Sequence, residues 1–393
     1  MPLANKIEGF IDRASWIREM FEAGTRLKAQ VGAENVFDFS LGNPDLEPPE
    51  KFRTVFQELA AEETPGRHAY MSNAGWPEVR AQVADYISRE QNRRFSADDV
   101  LMTCGAGGAL NVALKTVLDP GDEVIVPRPY FVEYNFYIDN HQGVIKLADT
   151  NPDFTLNLDN IAAAATSRTR AVLINSPNNP TGVVYPEENL RELGGLLEKM
   201  SSKVGRPVVL IADEPYRKIV YDGVQVPSVF HHYQYSLSLT SYSKDLSLPG
   251  ERIGFLAVHP DMPRKTRLIA GLILCNRVLG FVNAPALMQR AVARLQGCHV
   301  DIDIYRKRRD LFVKGLKEAG YGLTVPQGAF YLFPKSPVAD DVAFIRELQK
   351  ENILGVPGSG FGGPGYFRLC YCVPEKVIEN SLPGFKRVHD KLA

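Results

Sequence analysis

The sequence lacks the features that would place it in several broad classes. Forty-five basic and 46 acidic residues leave a formal net charge of −1, so no overall bias points to nucleic acid or an acidic surface. No apolar run approaches the roughly 18 residues of a membrane span. The opening PLANKIEGFIDR is too polar for the apolar centre of a signal peptide. The five cysteines (Cys104, Cys275, Cys298, Cys370 and Cys372) are odd in number and have no CxxC spacing. That argues for free thiols in a reducing compartment and against a disulfide framework or zinc site. The seven histidines are scattered, and the adjacent His231 and His232 read as surface-loop residues, so no metal is expected. Repeats and low-complexity tracts are absent too. The expectation is a cytoplasmic protein with neither nucleic-acid nor membrane partners.

What is present is an alternation. From about residue 100, short apolar runs alternate with longer amphipathic ones, the signature of βαβ units and a parallel sheet. Candidate strands are DEVIVP (122–127), RAVLIN (170–175), PVVLIAD (207–213), SLSLTSYS (236–243) and RIGFLAV (252–258). Their continuous apolar character implies a sheet covered on both faces. EENLRELGGLLEKM carries apolar residues at helical spacing. The chain ends differ: an amphipathic helix around IREMFEAGTRLKAQ and an extended VFDFSLGNP at one end. A long helix through RKRRDLFVKGLKEAG, hairpin-like AFYLFP and YFRLCY, and a closing helix lie at the other. The expected fold class is α/β, with a mostly parallel, seven-stranded-type sheet between helices. We assign residues 46–285 to this large domain and residues 1–45 with 286–393 to a smaller α+β domain.

In open parallel sheets, ligands bind beyond the carboxyl ends of the strands, so the residues there carry the functional reading. After VLMT comes CGAGGALNVAL, a glycine-rich turn opening a helix, whose free amides favour a phosphate. It is not a dinucleotide fingerprint, because Leu110 stands where the third glycine of GxGxxG belongs. A tight turn without a ligand would explain this motif equally well if it stood alone. DEVIVP is followed by the aromatic loop RPYFVEY, and RAVLIN by SPNNPTG, which brings Asn178 and Asn179 to the sheet's mouth. PVVLIA ends in Asp213, a carboxylate that is costly to bury without a partner. A helix cap would account for it about as well in isolation. Last, Lys244 follows its own strand, with Arg252 eight residues on. An anion cradle, an aromatic face, amides, a carboxylate and a lysine together suit one ligand, pyridoxal phosphate. Its aldehyde takes a lysine, its ring nitrogen a carboxylate, and its phosphate backbone amides and an arginine.

SYSK with GERIG eight residues later, SPNNPTG and ADEPY occur in one order, and from about Gly42 to Arg368 the chain resembles the class I pyridoxal-phosphate aminotransferases, the fold-type-I family of aspartate aminotransferase. The resemblance implies roles. Lys244 would hold the cofactor as a Schiff base and shuttle the proton. Asp213 would pair with the pyridinium nitrogen, and Tyr216 and Asn179 would bind the 3′-oxygen. Phe131 would stack on the ring. Gly105, Ala106 and Gly107 would offer amides to the phosphate, with Ser241 and Arg252 beside it. Arg368 would grip the substrate α-carboxylate, with Gly42 and Asn179 near it. Tyr70 matches a tyrosine that reaches the neighbouring subunit's phosphate, which implies a homodimer with shared sites.

The implied reaction is transfer of an amino group from an L-amino acid to a 2-oxo acid, usually 2-oxoglutarate. A β-lyase of the cystathionine type is the alternative on the same scaffold. A nicotinamide oxidoreductase is disfavoured by the failed GxGxxG, and a non-enzymatic regulator by the absence of any basic arm. A second cation for an acidic substrate side chain is not evident: Gly107 and Val278, with Arg277 beside it, stand where such cations occur in aspartate-specific relatives. Phe330 and Tyr331 are compatible with a broader or apolar side chain.

Overall fold

The computed structural model describes residues 2–393, the side chains of 12–23 excepted. The helix expected around IREMFEAGTRLKAQ lies within the helix Asn5–Val31, but the side chains of its first half fall outside the described residues. A short strand, β1 (Phe37–Asp38), follows. The central sheet is built from β2 (Val100–Thr103), β3 (Glu123–Arg128), β4 (Val144–Asp149), β5 (Thr169–Asn175), β6 (Val209–Asp213), β7 (Ser236–Ser241) and β8 (Gly254–Val258). These seven strands run in the order β2-β8-β7-β6-β5-β3-β4.

Alternation explains why the inner strands read as unbroken apolar runs. Val172, Ile174, Leu210 and Ala212 pack into one core, while Ala171, Leu173, Val209 and Ile211 pack into another on the opposite face. Both faces are buried, so neither strand needs a polar side. β4 was not foreseen. It is an edge strand, largely exposed or half-buried, and VIKLAD has no continuous apolar signal.

The direction of β8 matters most for function. It is antiparallel to both β7 and β2, whereas β3 to β7 run parallel to one another. Ser241 and Thr103, at the carboxyl ends of their strands, therefore both face Gly254, at the start of β8. Arg252 thus reaches the same edge as Lys244. The crossing is tight: a Cβ on Gly254 would lie 2.3 Å from the Thr240 carbonyl and 3.0 Å from Gly105 Cα. Only glycine permits that approach.

The chain ends meet beside this sheet. β1 pairs in parallel with β10 (Ile353–Leu354). A second small sheet holds β9 (Tyr331–Leu332), β11 (Val356–Pro357) and β12 (Phe367–Cys370), with β12 in the middle and antiparallel to both. Phe39, Phe312, Phe344, Phe367 and Phe385 build their common core. One element departs from the expected layout. The helix Ala286–Arg294, assigned above to the chain-end unit, packs on the helices Glu50–Ala61 and Pro77–Glu90. Its apolar stripe of Met288, Ala291 and Val292 joins the core under the large sheet.

Candidate active site

The strand ends open on a cavity of about 360 Å³, large enough for a small ligand. Eleven residues singled out by the sequence line it: Gly42, Ala106, Gly107, Phe131, Asn179, Asp213, Tyr216, Ser241, Lys244, Arg252 and Arg368. Tyr331 is among the lining residues too, and Phe330 lies just behind, its ring centroid 5.4 Å from Lys244 Nζ. Gly105 is not among the lining residues, but it adjoins one of them: an added Cβ there would lie 3.0 Å from Arg252 Nη2. Tyr70 is placed elsewhere and is 88% exposed. Arg277 and Val278 are exposed at the end of the helix Lys265–Val278 and do not line the cavity.

At one end the helix Gly105–Val117 begins without a side-chain cap, because Cys104 makes no capping hydrogen bond. Its first amides therefore remain free for an anion. Around them stand Arg252 and the paired hydroxyls of Ser241 and Ser243, 2.5 Å apart.

At the floor is Asp213, 4% exposed. Its Oδ2 accepts a 2.6 Å hydrogen bond from Tyr134 Oη, while Oδ1 is buried with no partner among the described residues. Burial pushes its carboxyl from 3.8 up to about 7, with the Glu214 charge adding and the Tyr134 hydroxyl opposing. A buried, half-satisfied carboxylate is expensive unless a cation or donor arrives. Asn175 supports it, giving Nδ2 to the Asp213 carbonyl (2.8 Å) and accepting from the Asn179 amide (2.7 Å).

Lys244 enters from above and donates to the Gly42 carbonyl at 2.8 Å. Burial pushes its amine below the ordinary lysine range. The thiols of Cys372 and Cys370 oppose this, and the Arg368 and Arg252 charges add to it. A lowered pKa is what an amine nucleophile or base requires. Tyr216 Oη and Tyr331 Oη share a 2.8 Å hydrogen bond. Burial, then the neighbouring Tyr331, holds the Tyr216 phenol well above its usual range, so it stays protonated.

Arg368 closes the far side. It is 8% exposed, held by Asn179 Oδ1 (3.1 Å) and the Ser40 carbonyl (2.8 Å), and it lies between the rings of Tyr331 and Phe361 at 4.7 and 4.5 Å. Its Nε is buried without a partner among the described residues. Gly42 fits against Tyr331 so closely that a Cβ would fall 2.0 Å from the phenol oxygen.

Of the two amides in SPNNPTG, only Asn179 faces the cavity. Asn178 turns into its own loop, where Oδ1 accepts from the Thr181 amide and hydroxyl. The sequence reading passed over Asn175 and Tyr134. Asn175 ends RAVLIN, so the strand-end rule that flagged Asp213 could have found it. Tyr134 lay in the aromatic loop, but its aim at Asp213 depends on how β3 and β6 flank β5.

The residues present fit pyridoxal phosphate: a buried carboxylate with an orphaned oxygen, an uncapped helix start beside an arginine, and a lysine of lowered pKa line one space. Wider comparison agrees. The family of aminotransferases of class I and II matches residues 34–383, and the chain belongs to it. A probable aspartate aminotransferase of Methanocaldococcus jannaschii is 31% identical over 386 residues, covering 96% of this chain and 98% of that protein. An aspartate/prephenate aminotransferase of Thermus thermophilus is 31% identical over 355 residues, covering 88% and 89%. The crystal structure of an amino transferase from Eubacterium rectale superposes with a TM-score of 0.96 at 40% identity, covering 100% of this chain and 99% of that one. The protein is accordingly a pyridoxal-phosphate-dependent enzyme of amino-group transfer, and these similarities favour transfer over the lyase alternative.

Proposed function

We propose that this enzyme moves the amino group of a neutral or apolar L-amino acid to 2-oxoglutarate, with Lys244 as both cofactor lysine and proton carrier. The observation that carries the reading is the convergence of the Lys244, Asp213 and Arg368 side chains on one cavity. Bound pyridoxal phosphate supplies an aldehyde for amines and a ring that withdraws electrons from the carbon being deprotonated.

The protein's own groups do the rest. In the holoenzyme Asp213 would hold a proton on the ring nitrogen. Tyr216 and Asn179 would hydrogen-bond the ring oxygen, and Phe131 would lie against the ring. The amides of Gly105, Ala106 and Gly107, with Ser241 and Arg252, would bind the phosphate. Arg368 would take the α-carboxylate and fix the α-carbon, with Gly42 beside it. Lys244 Nζ would accept the proton from that carbon and return it at the cofactor's side. Positioning of this kind converts a slow encounter into an intramolecular transfer.

The donor class rests on the remaining walls. Lys244, Arg252 and Arg368 are the cations among the described residues that line the cavity, and all three have work already. Leu41 and Leu110 add apolar surface to the lining. The family resemblance supports 2-oxoglutarate as acceptor. It also supports a homodimer in which the 88% exposed Tyr70 reaches its partner's phosphate site. The five free cysteines support a cytoplasmic setting. Among the described residues, no helix is long and apolar enough to cross a membrane. A panel of amino acids, each mixed with the holoenzyme and followed by loss of the cofactor's visible absorption, tests the donor class. Neutral amino acids are expected to react faster than aspartate, and the reverse order overturns it.

A further inference from the structure

Behind the active cavity lies a set of charges that the reaction does not use. The side chains of Glu214, Arg217, Lys218 and Asp245 are only 4%, 10%, 16% and 7% exposed. Their order in the chain is telling. Glu214 directly follows Asp213, and Asp245 directly follows Lys244, while the counter-charges Arg217 and Lys218 are neighbours in one turn, DEPYRK. Arg217 Nη1 pairs with Glu214 Oε1 at 3.1 Å, and Lys218 Nζ pairs with Asp245 Oδ2 at 2.9 Å. A single turn after β6 therefore grips the residue beyond each of the two groups that face the cofactor.

The Lys218–Asp245 pair is enclosed. Lys218 Nζ lies 4.7 Å from the Tyr86 ring centroid and 5.8 Å from that of Tyr242. Tyr242 Oη is held in turn by Gln296 Nε2 at 2.8 Å. Asp245 accepts from the Leu246 amide with Oδ1 at 3.0 Å, and its carbonyl accepts from the Val300 amide at 2.7 Å. These groups surround a second cavity of about 20 Å³, walled from the active one by Ser241 and Pro215, which line both. A buried ion pair is weak evidence of stabilisation, because desolvation offsets much of the attraction. In some proteins its use is to fix one arrangement among several.

We propose that Lys218 and Asp245 are positioning residues for Lys244: their ion pair ties the turn after β6 to the turn after β7 and so sets where Lys244 Nζ enters the active cavity. The inference rests on the reading of Lys244 given above. Displacing the amine by a fraction of its reach penalises proton transfer and leaves Arg368 free to bind the carboxylate. The signature is a fall in kcat at nearly unchanged KM, together with faster release of the cofactor.

Lys218→Met alone strands a buried carboxylate and is expected to cost stability. The decisive variant is therefore Lys218→Met/Asp245→Leu, which removes both charges and keeps the bulk. Holoenzymes of the parent, this double variant and Lys218→Arg are compared for melting temperature, kcat, KM and the rate of pyridoxal phosphate loss on dilution. The double variant is expected to melt like the parent while kcat falls at least tenfold and the cofactor leaves at least tenfold faster, since a misplacement of about 1 Å can cost on the order of 100-fold. Lys218→Arg, which keeps the cation and has the second cavity to grow into, is expected to retain parental values. A double variant with parental kcat and parental cofactor release overturns the proposal, whatever its melting temperature. A parent that binds no pyridoxal phosphate fails the reading of Lys244 instead.

Discussion

Asp213 offers a test that needs no substrate. Its carboxyl stands at about 7 in place of 3.8, raised by burial. The difference of about 3 units corresponds to about 4 kcal/mol between its protonated and ionised forms. Below about pH 4 the group is protonated whether the chain is folded or not, and its titration costs nothing. As pH rises the unfolded chain ionises first, and cofactor-free protein loses stability until the folded group ionises near pH 7. The cofactor-free enzyme should therefore melt progressively lower from about pH 4 to pH 7 and then level off, while Asp213→Asn should be flatter across that range. Adding pyridoxal phosphate should remove the slope, because a protonated ring nitrogen offsets the burial cost of the carboxylate. Asp213→Asn, which cannot carry the charge that keeps the ring nitrogen protonated, should also lower kcat/KM at pH 7. Thermal unfolding of both cofactor-free proteins, followed by circular dichroism, provides the assay. Identical pH slopes for parent and variant would refute the argument.

Four further predictions follow from neighbouring contacts. Tyr134→Phe removes the hydrogen bond that opposes the rise at Asp213, so the pH at which cofactor-free stability levels off should move above 7; an unchanged or lower value contradicts the assignment. Arg368→Lys gives up the planar fork clamped between Tyr331 and Phe361, and should raise KM for the amino acid about 10- to 100-fold, on the basis of about 1.5–3 kcal/mol for a charged hydrogen bond. A KM within threefold of the parent would remove Arg368 from the carboxylate site. Gly42→Ala forces a Cβ onto the Tyr331 phenol and should cost about 1–3 kcal/mol, read as a lower denaturant midpoint. Tyr70→Phe, at a side chain exposed in the single chain, should leave the unfolding of cofactor-free protein unchanged but weaken pyridoxal phosphate binding in the proposed homodimer. Equal affinity would argue against shared sites.

Much of this site was legible because the strands announce their own ends. Buried parallel strands are unbroken apolar runs, so the polar residue that stops each run marks the sheet's mouth, as Asp213 and Asn175 do. What could not be read was direction and edge. An apolar run says nothing about which way it points, and the antiparallel course of β8 is what delivers Arg252 to the anion end. β4 escaped notice because an edge strand needs no apolar face. The helix Ala286–Arg294 was assigned to the wrong neighbour for a related reason: its apolar stripe specifies that it packs, not on what. Residue chemistry alone does not separate Asn178 from Asn179; the family resemblance picks Asn179, and the fold of the loop turns Asn178 back on Thr181. The buried pair Lys218–Asp245 joins residues 27 positions apart and became visible only with β6 and β7 side by side.

The central claim is that Lys244 is the amine that holds the cofactor. Reduction of the purified holoenzyme with borohydride, followed by peptide mass mapping, tests it most directly. The account predicts one pyridoxyl adduct, on Lys244, with Lys244→Ala yielding neither adduct nor visible absorption band. An adduct on another lysine, or full transaminase activity in Lys244→Ala, would contradict it.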